Sequence, residues 1–285
     1  KLTCLSPFAH GADNKAGNAT LFRRQDILCT NNAMLSLPFY AGNAFRGTMR
    51  DALADHFIQS LGLTPRRDRP PVVLWFFHAL YAGGALEETG TSLKNVMAKL
   101  GNNGAVNAGG IKELRDTLPG LSLLGAAIGN RILSGRCDFN DFRPRCVEYA
   151  TGEVPIAELF EWTYLTRRED HEEHKEHSGM IANTECLKAG VVMDGGIDIS
   201  THINTLENSA LGMGLKLIKE RGKLGAENRR GLGKVEIEIV NAPDHLAYEQ
   251  YLVEQKDDIL QYLENITAID IQEREDATAS GKVDF

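Results

Sequence analysis

Leu224-Gly-Ala-Glu-Asn-Arg-Arg-Gly-Leu-Gly-Lys-Val235 sets how the rest of this 285-residue chain is read. It follows a helical pattern at 206–221, with Leu211, Leu215 and Ile218 on one face, and precedes a strand pattern at Lys234–Val240. Its glycines, among them Gly231 and Gly233, permit tight backbone turns and close approach of another backbone. Asn228, Arg229, Arg230 and Lys234 add polar and cationic groups, and a guanidinium fork matches phosphate oxygens. The stretch is not a P-loop, because it follows a helix and lacks Gly-Lys-Ser/Thr.

Arg230-Gly-Leu-Gly-Lys-Val-Glu-Ile237 partly matches the signature of RNA-recognition modules. The basic, small and valine positions are present, and the three aromatics are replaced by Leu232, Lys234 and Ile237. Phosphate contact without base stacking on the sheet is the chemistry that this leaves. A solvated Gly/Arg connection is the plainer reading of the same spacing.

Working outward, Phe45, Met49, Leu53, Phe57 and Leu61 recur every four residues and predict a helix, capped by Asn43 and ended by Gly62. Arg46 and Arg50 stand one turn apart near its start, and helix N-termini attract phosphate. Leu2–Phe8 reads as a strand, 9–20 as a polar loop, and 21–30 as a short strand carrying Arg23 and Arg24. Residues 72–82, 91–100, 110–118 and 121–128 read as helical pieces broken by glycine. Strand-like stretches at 162–166 and 186–199 flank a charged excursion over 167–184. The order predicts an α+β fold built on a split β-α-β-β-α-β unit.

Composition narrows the classes. Net charge is −8, but residues 244–285 hold 11 acidic and 3 basic residues, leaving 28 of each sign in the body. A neutral body can bind a polyanion if its arginines gather on one face. No apolar run approaches the ~20 residues of a membrane span, and none reads as an export leader. Five scattered cysteines without a CxxC pair predict reduced thiols, and so a cytoplasmic protein.

Two further clusters carry candidate chemistry. His171, His174 and His177 have metal-binding side chains, but their spacing on a polar loop encloses no tetrahedral site, so no metal and no cofactor are expected. His10-Gly-Ala-Asp13 lies after the first strand. There Asp13 either stabilises a turn or takes part in cleavage with His10 as acid or base.

Pro38-Phe-Tyr-Ala-Gly-Asn-Ala-Phe-Arg-Gly-Thr-Met-Arg50 and the glycine-rich stretch before the last strand, in this order, resemble motifs of the RAMP superfamily of CRISPR proteins. Leu123-Leu-Gly-Ala126 and the span from Arg167 to Gly190 agree with that likeness, which covers roughly 2–240. The chain looks most like the repeated Cas-seven type of backbone subunit, in its type IV version. The resemblance implies a ferredoxin-like, RRM-like palm (1–63 and 131–243), inserted helical fingers (64–130), a thumb hairpin (165–187) and an acidic C-terminal helix and tail (244–285).

It also implies an RNA-binding subunit of an antiviral ribonucleoprotein. Copies would form a helical filament on guide RNA (crRNA), beside other CRISPR effector subunits, and present the guide to target DNA or RNA. Arg23, Arg24, Arg46, Arg50, Asn228, Arg229, Arg230, Gly231, Gly233 and Lys234 would line the RNA groove. Arg167, Arg168 and Met180 would serve the thumb. No catalysis is expected in the type IV version. The alternative is a ribonuclease that cuts guide-paired target RNA with Asp13, assisted by His10.

Overall fold

A computed structural model describes residues 1–16, 19–29, 32–63, 72, 74–84, 107–128, 131–165 and 182–265. They divide between two compact units, Lys1–Arg46 with Phe139–Ile197 and Lys219–Val240, and Gly47–Asp138 with Asp198–Ile218 and Asn241–Phe285.

The first unit holds a four-stranded sheet of β1 (Leu2–Cys4), β9 (Arg143–Pro144), β12 (Val192–Asp194) and β14 (Val235–Ile237). The spatial order is β14-β1-β12-β9, antiparallel throughout. Along the chain, β1 leads into helix α1 (Gly42–Ser60), β9 and β12 follow, then helix α5 (Thr205–Arg221) and β14. This is the β-α-β-β-α-β order of a ferredoxin-like palm, with first and last strands side by side. The α+β expectation therefore holds.

A second sheet of the same unit, in the order β10-β11-β3-β2, contains β2 (Gly11–Ala16), β3 (Ala19–Phe22), β10 (Phe160–Leu165) and β11 (Ala182–Leu187). β10 and β11 pair antiparallel from Phe160↔Leu187 to Leu165↔Ala182, the stem of a hairpin. Arg167, Arg168, Met180 and the three histidines of 171–177 lie outside the described residues. β4 (Arg24–Leu28) and β5 (Met34–Pro38) form a separate hairpin. Polar Gly11–Ala16, expected as loop, is a strand because β3 supplies a partner, from Gly11↔Phe22 to Ala16↔Ala19. Partners outweigh intrinsic preference in strands.

Helix α1 buries Phe45, Met49, Leu53 and Phe57 of its stripe, and Leu61, just past its end, is buried with them. Burying a side chain of that size contributes about 1.5–3 kcal/mol. Gly62, at φ +70°, ends the helix as expected. The N-terminal cap differs from expectation. Gly42 is the first helical residue and its N–H donates to Asp141 Oδ1 at 2.9 Å, so Asn43 lies inside the first turn and does not cap it.

The second unit contains α2 (Leu74–Tyr81), α3 (Ala108–Thr117) and α4 (Pro119–Leu124). The run 121–128 is not one helix. Gly125, at φ +71°, closes α4, and β6 (Ala126–Ile128) turns back on β7 (Arg131–Leu133). Residues 91–100 lie outside the described residues. At Gly214 of α5 an added Cβ would stand 2.8 Å from Met49 Cγ, so this position needs a residue without a side chain for α5 to approach α1 so closely. Helix α6 (Leu246–Glu254) follows, with a further helical run at 256–265. The five cysteines are free thiols. No described helix is long and apolar enough to cross a membrane.

Candidate nucleic-acid interface

Residues 5–10 are the common support of both Gly/Arg motifs. On one side they hold the turn. Leu5 N donates to Lys234 O at 2.8 Å, Lys234 N to Ser6 Oγ at 3.0 Å, Gly233 N to Pro7 O at 2.8 Å and Ala226 N to Ala9 O at 2.8 Å. On the other side Ala41 N, at the entrance to α1, donates to His10 Nε2 at 3.2 Å. Arg23 N donates to His10 O at 2.8 Å, and Phe39 N to Arg23 O at 3.2 Å. Phe8 exchanges two backbone bonds with Leu187, at the end of the β10–β11 hairpin. Motifs about 180 positions apart in sequence are thus joined through one short segment, which was not legible from either motif.

The turn is a rigid frame. Asn228–Arg230 make a single 3-10 turn, entered through Glu227 at φ +58° and left through Gly231 at φ +86°. Leu224 N donates to Gly233 O and closes the loop at 2.9 Å. Gly233, at φ +76°, has no room for a side chain, since an added Cβ would stand 2.0 Å from Leu224 O and 2.6 Å from Asn228 Oδ1. Asn228 Nδ2 donates to Gly225 O at 3.3 Å, so this residue braces the turn from within. Leu232 is buried with Ala9 and Cys186.

The cations differ in how far they are already engaged. Arg229 is exposed and pairs with no described residue. Lys234 is exposed beside it in sequence. Arg230 is ion-paired to Glu227, which also accepts a hydrogen bond from Thr184 Oγ1 at 3.3 Å. Arg23 is half-buried and its Nε donates to Gly11 O at 3.3 Å. Arg46 is half-buried on the first turns of α1.

Two candidates sit elsewhere. Arg24 makes a bidentate pair with the buried carboxylate of Glu185, at 2.7 and 2.8 Å, and its guanidinium lies 4.3 Å above the Phe160 ring. Glu185 also accepts from Phe22 N at 2.8 Å. Arg24 therefore fastens β4 to β10 and β11. Arg50 belongs to the second unit and is buried. It donates to the carbonyls of Ala79 at 3.2 Å, Leu124 at 3.0 Å and Gly125 at 2.8 Å. Its planar fork gathers backbone acceptors left unpaired at helix ends.

His10 is packed among Phe22, Phe39 and Tyr40, with ring centroids 5.0–6.4 Å away. Because Nε2 accepts from Ala41, the proton of this imidazole resides on Nδ1. Asp13 lies within β2, and its side chain lies outside the described residues.

Arg229 and Lys234 are exposed on the turn, and Arg23 is bonded through its backbone to His10.

No protein family matches the chain by sequence, and no curated protein does so either. In fold it is similar to a chain of a "Type IV-B CRISPR Complex", with a TM-score of 0.55 and 14% identity over 89% of this chain and 97% of that one. At that identity the likeness is one of fold.

Proposed function

We propose that this chain is a guide-RNA (crRNA)-binding backbone subunit of a class 1 CRISPR surveillance complex, of the RAMP kind and closest to type IV. The observation that carries the reading is residues 5–10, which tie the Gly/Arg turn and the entrance of α1 into one support for cations. The fold likeness to a chain of a type IV-B CRISPR complex agrees with it.

In this reading Arg229, Arg230, Lys234, Arg23 and Arg46 contact phosphates of the guide, and Asn228, Gly231 and Gly233 shape the turn that presents them. The palm spans 1–63 and 131–243, the fingers 64–130 and the thumb 165–187, where Arg167, Arg168 and Met180 meet the RNA. Copies stack into a filament in the cytoplasm, beside other effector subunits. The guide's bases stay free to pair with target DNA or RNA, because the turn offers no stacking aromatic. Affinity comes from phosphate neutralisation and falls steeply with salt.

The test is co-purification. Arg229→Glu combined with Arg230→Glu abolishes the RNA load, read as ultraviolet absorbance ratio and particle mass, while the circular dichroism spectrum stays that of the folded chain. A folded double variant that retains its RNA load overturns the reading.

A further inference from the structure

We infer that the second unit carries its own binding site for a phosphate group, in a cavity of about 370 Å³ beside α3 and the start of α5. Its walls include Lys112, Arg115, Arg136, His202, Asn204 and Glu207. The volume is far above the roughly 10–15 Å³ that one water requires.

Glu207 at the start of α5 is 1% exposed. Both of its oxygens are already engaged. Oε2 accepts from Asn204 N at 2.9 Å, while Glu207 N donates to Asn204 Oδ1 at 2.7 Å, a reciprocal cap at the start of α5. Oε1 accepts from Ser122 Oγ.

Two guanidiniums share this one carboxylate, and neither hydrogen-bonds it. Arg115 donates to neutral acceptors, Ser122 Oγ at 2.7 Å and Ser134 O at 3.0 Å. Arg136 Nε stands 3.8 Å from Glu207 Oε1, beyond hydrogen-bond length. That Nε is buried and has no acceptor among the described residues. A buried donor without an acceptor is destabilising, more so when it is charged.

The charge count points the same way. Lys112 is paired with Asp116, which leaves two arginines against one glutamate, with exposed His202 on the rim. An anion in the cavity offsets the repulsion between the two guanidiniums, which one carboxylate leaves uncompensated. A phosphate matches the guanidinium fork and has oxygens to spare for His202. The group can come from a free nucleotide or from the end of a nucleic-acid strand. These residues are distinct from the Gly/Arg turn, and the site stands or falls independently of it.

The experiment is calorimetric titration of the full chain with inorganic phosphate, adenosine monophosphate and a short oligoribonucleotide, with and without a 5′-phosphate. Saturable binding of phosphate is expected, weakened about tenfold or more by Arg136→Gln, the weight of one charge-assisted hydrogen bond. Arg136→Lys keeps the charge but not the fork and falls between. His202→Ala, a change at an exposed residue that leaves the buried network intact, weakens binding about threefold. Preference for the monophosphate assigns a free nucleotide, and preference for the 5′-phosphorylated strand assigns a strand end. The site is overturned if none of the probes saturates, or if a folded Arg136→Gln chain binds as tightly as the parent. Binding only of an acidic peptide, tried in parallel, overturns it as well.

Discussion

The backbone N–H of Ala41 donates to Nε2 of His10 at 3.2 Å. One imidazole thereby links the first strand region to the start of α1, and its Nε2 is not free to exchange protons with a substrate. His10→Ala removes the acceptor and opens a gap among Phe22, Phe39 and Tyr40. Stability falls by roughly 2 kcal/mol, read from urea unfolding. Complementary RNA added to the RNA-loaded parent stays intact, and Asp13→Ala makes no difference to that. Cleavage at regular intervals, lost in Asp13→Ala, would instead identify a nuclease.

Gly231 and Gly233 separate two costs within the turn. Both have positive φ, but an added Cβ meets nothing within 4 Å at Gly231 and stands 2.0 Å from a carbonyl oxygen at Gly233. Gly231→Ala costs about 1 kcal/mol and keeps the RNA load. Gly233→Ala deforms the turn and loses RNA, although every arginine is still present. Equal behaviour of the two variants in a co-purification assay would contradict the rigid-frame account.

Arg24 and Arg229 differ in what their loss reveals. Arg24→Ala leaves the Glu185 carboxylate buried without its partner. The cost is about 2–3 kcal/mol, below that of a fully buried pair because Arg24 is partly exposed. The slope of RNA affinity against salt is unchanged. Arg229→Gln costs little stability and lowers that slope by about one phosphate's worth. Filter binding at several salt concentrations, beside urea unfolding, distinguishes them.

His56 makes stability depend on pH. Burial holds its pKa below the ordinary 6.5, with Lys216 reinforcing the shift and Glu249 opposing it. The folded state resists protonation that the unfolded chain accepts. Its contribution is therefore complete above about pH 6.5 and is lost as pH falls toward the lowered folded value. His56→Gln flattens this limb, measured as unfolding free energy at pH 7.5 and 5.

What was legible in the sequence was periodic. The stripe of α1, the amphipathic α5 and the Gly/Arg turn between helix and strand follow from local spacing, and they sufficed to predict an α+β fold on a split β-α-β-β-α-β unit. The errors came from partners distant in sequence. Arg46 and Arg50 are one turn apart and read alike, yet Arg50 is directed inward by carbonyls 29 to 75 positions away. Asn43 looked like the cap of α1, but Asp141 performs that role. The apolar run 121–128 fits helix and strand equally, and the positive φ of Gly125 divides it. Neither Glu185 nor Glu207 stood out, because a buried acid has no local signature.

The position of β1 between β12 and β14 sets a timetable for synthesis. Leu2 pairs with Ile237, the last residue of β14 and 235 positions later in the chain. At about 5–20 residues per second, the opening strand waits roughly 10–50 s after it leaves the ribosome for that neighbour. Until then the edge of β1 that β14 will cover is bare. A chain stopped short of residue 235 keeps α1 to α5 and lacks the last strand of its first sheet, with α6 beyond it.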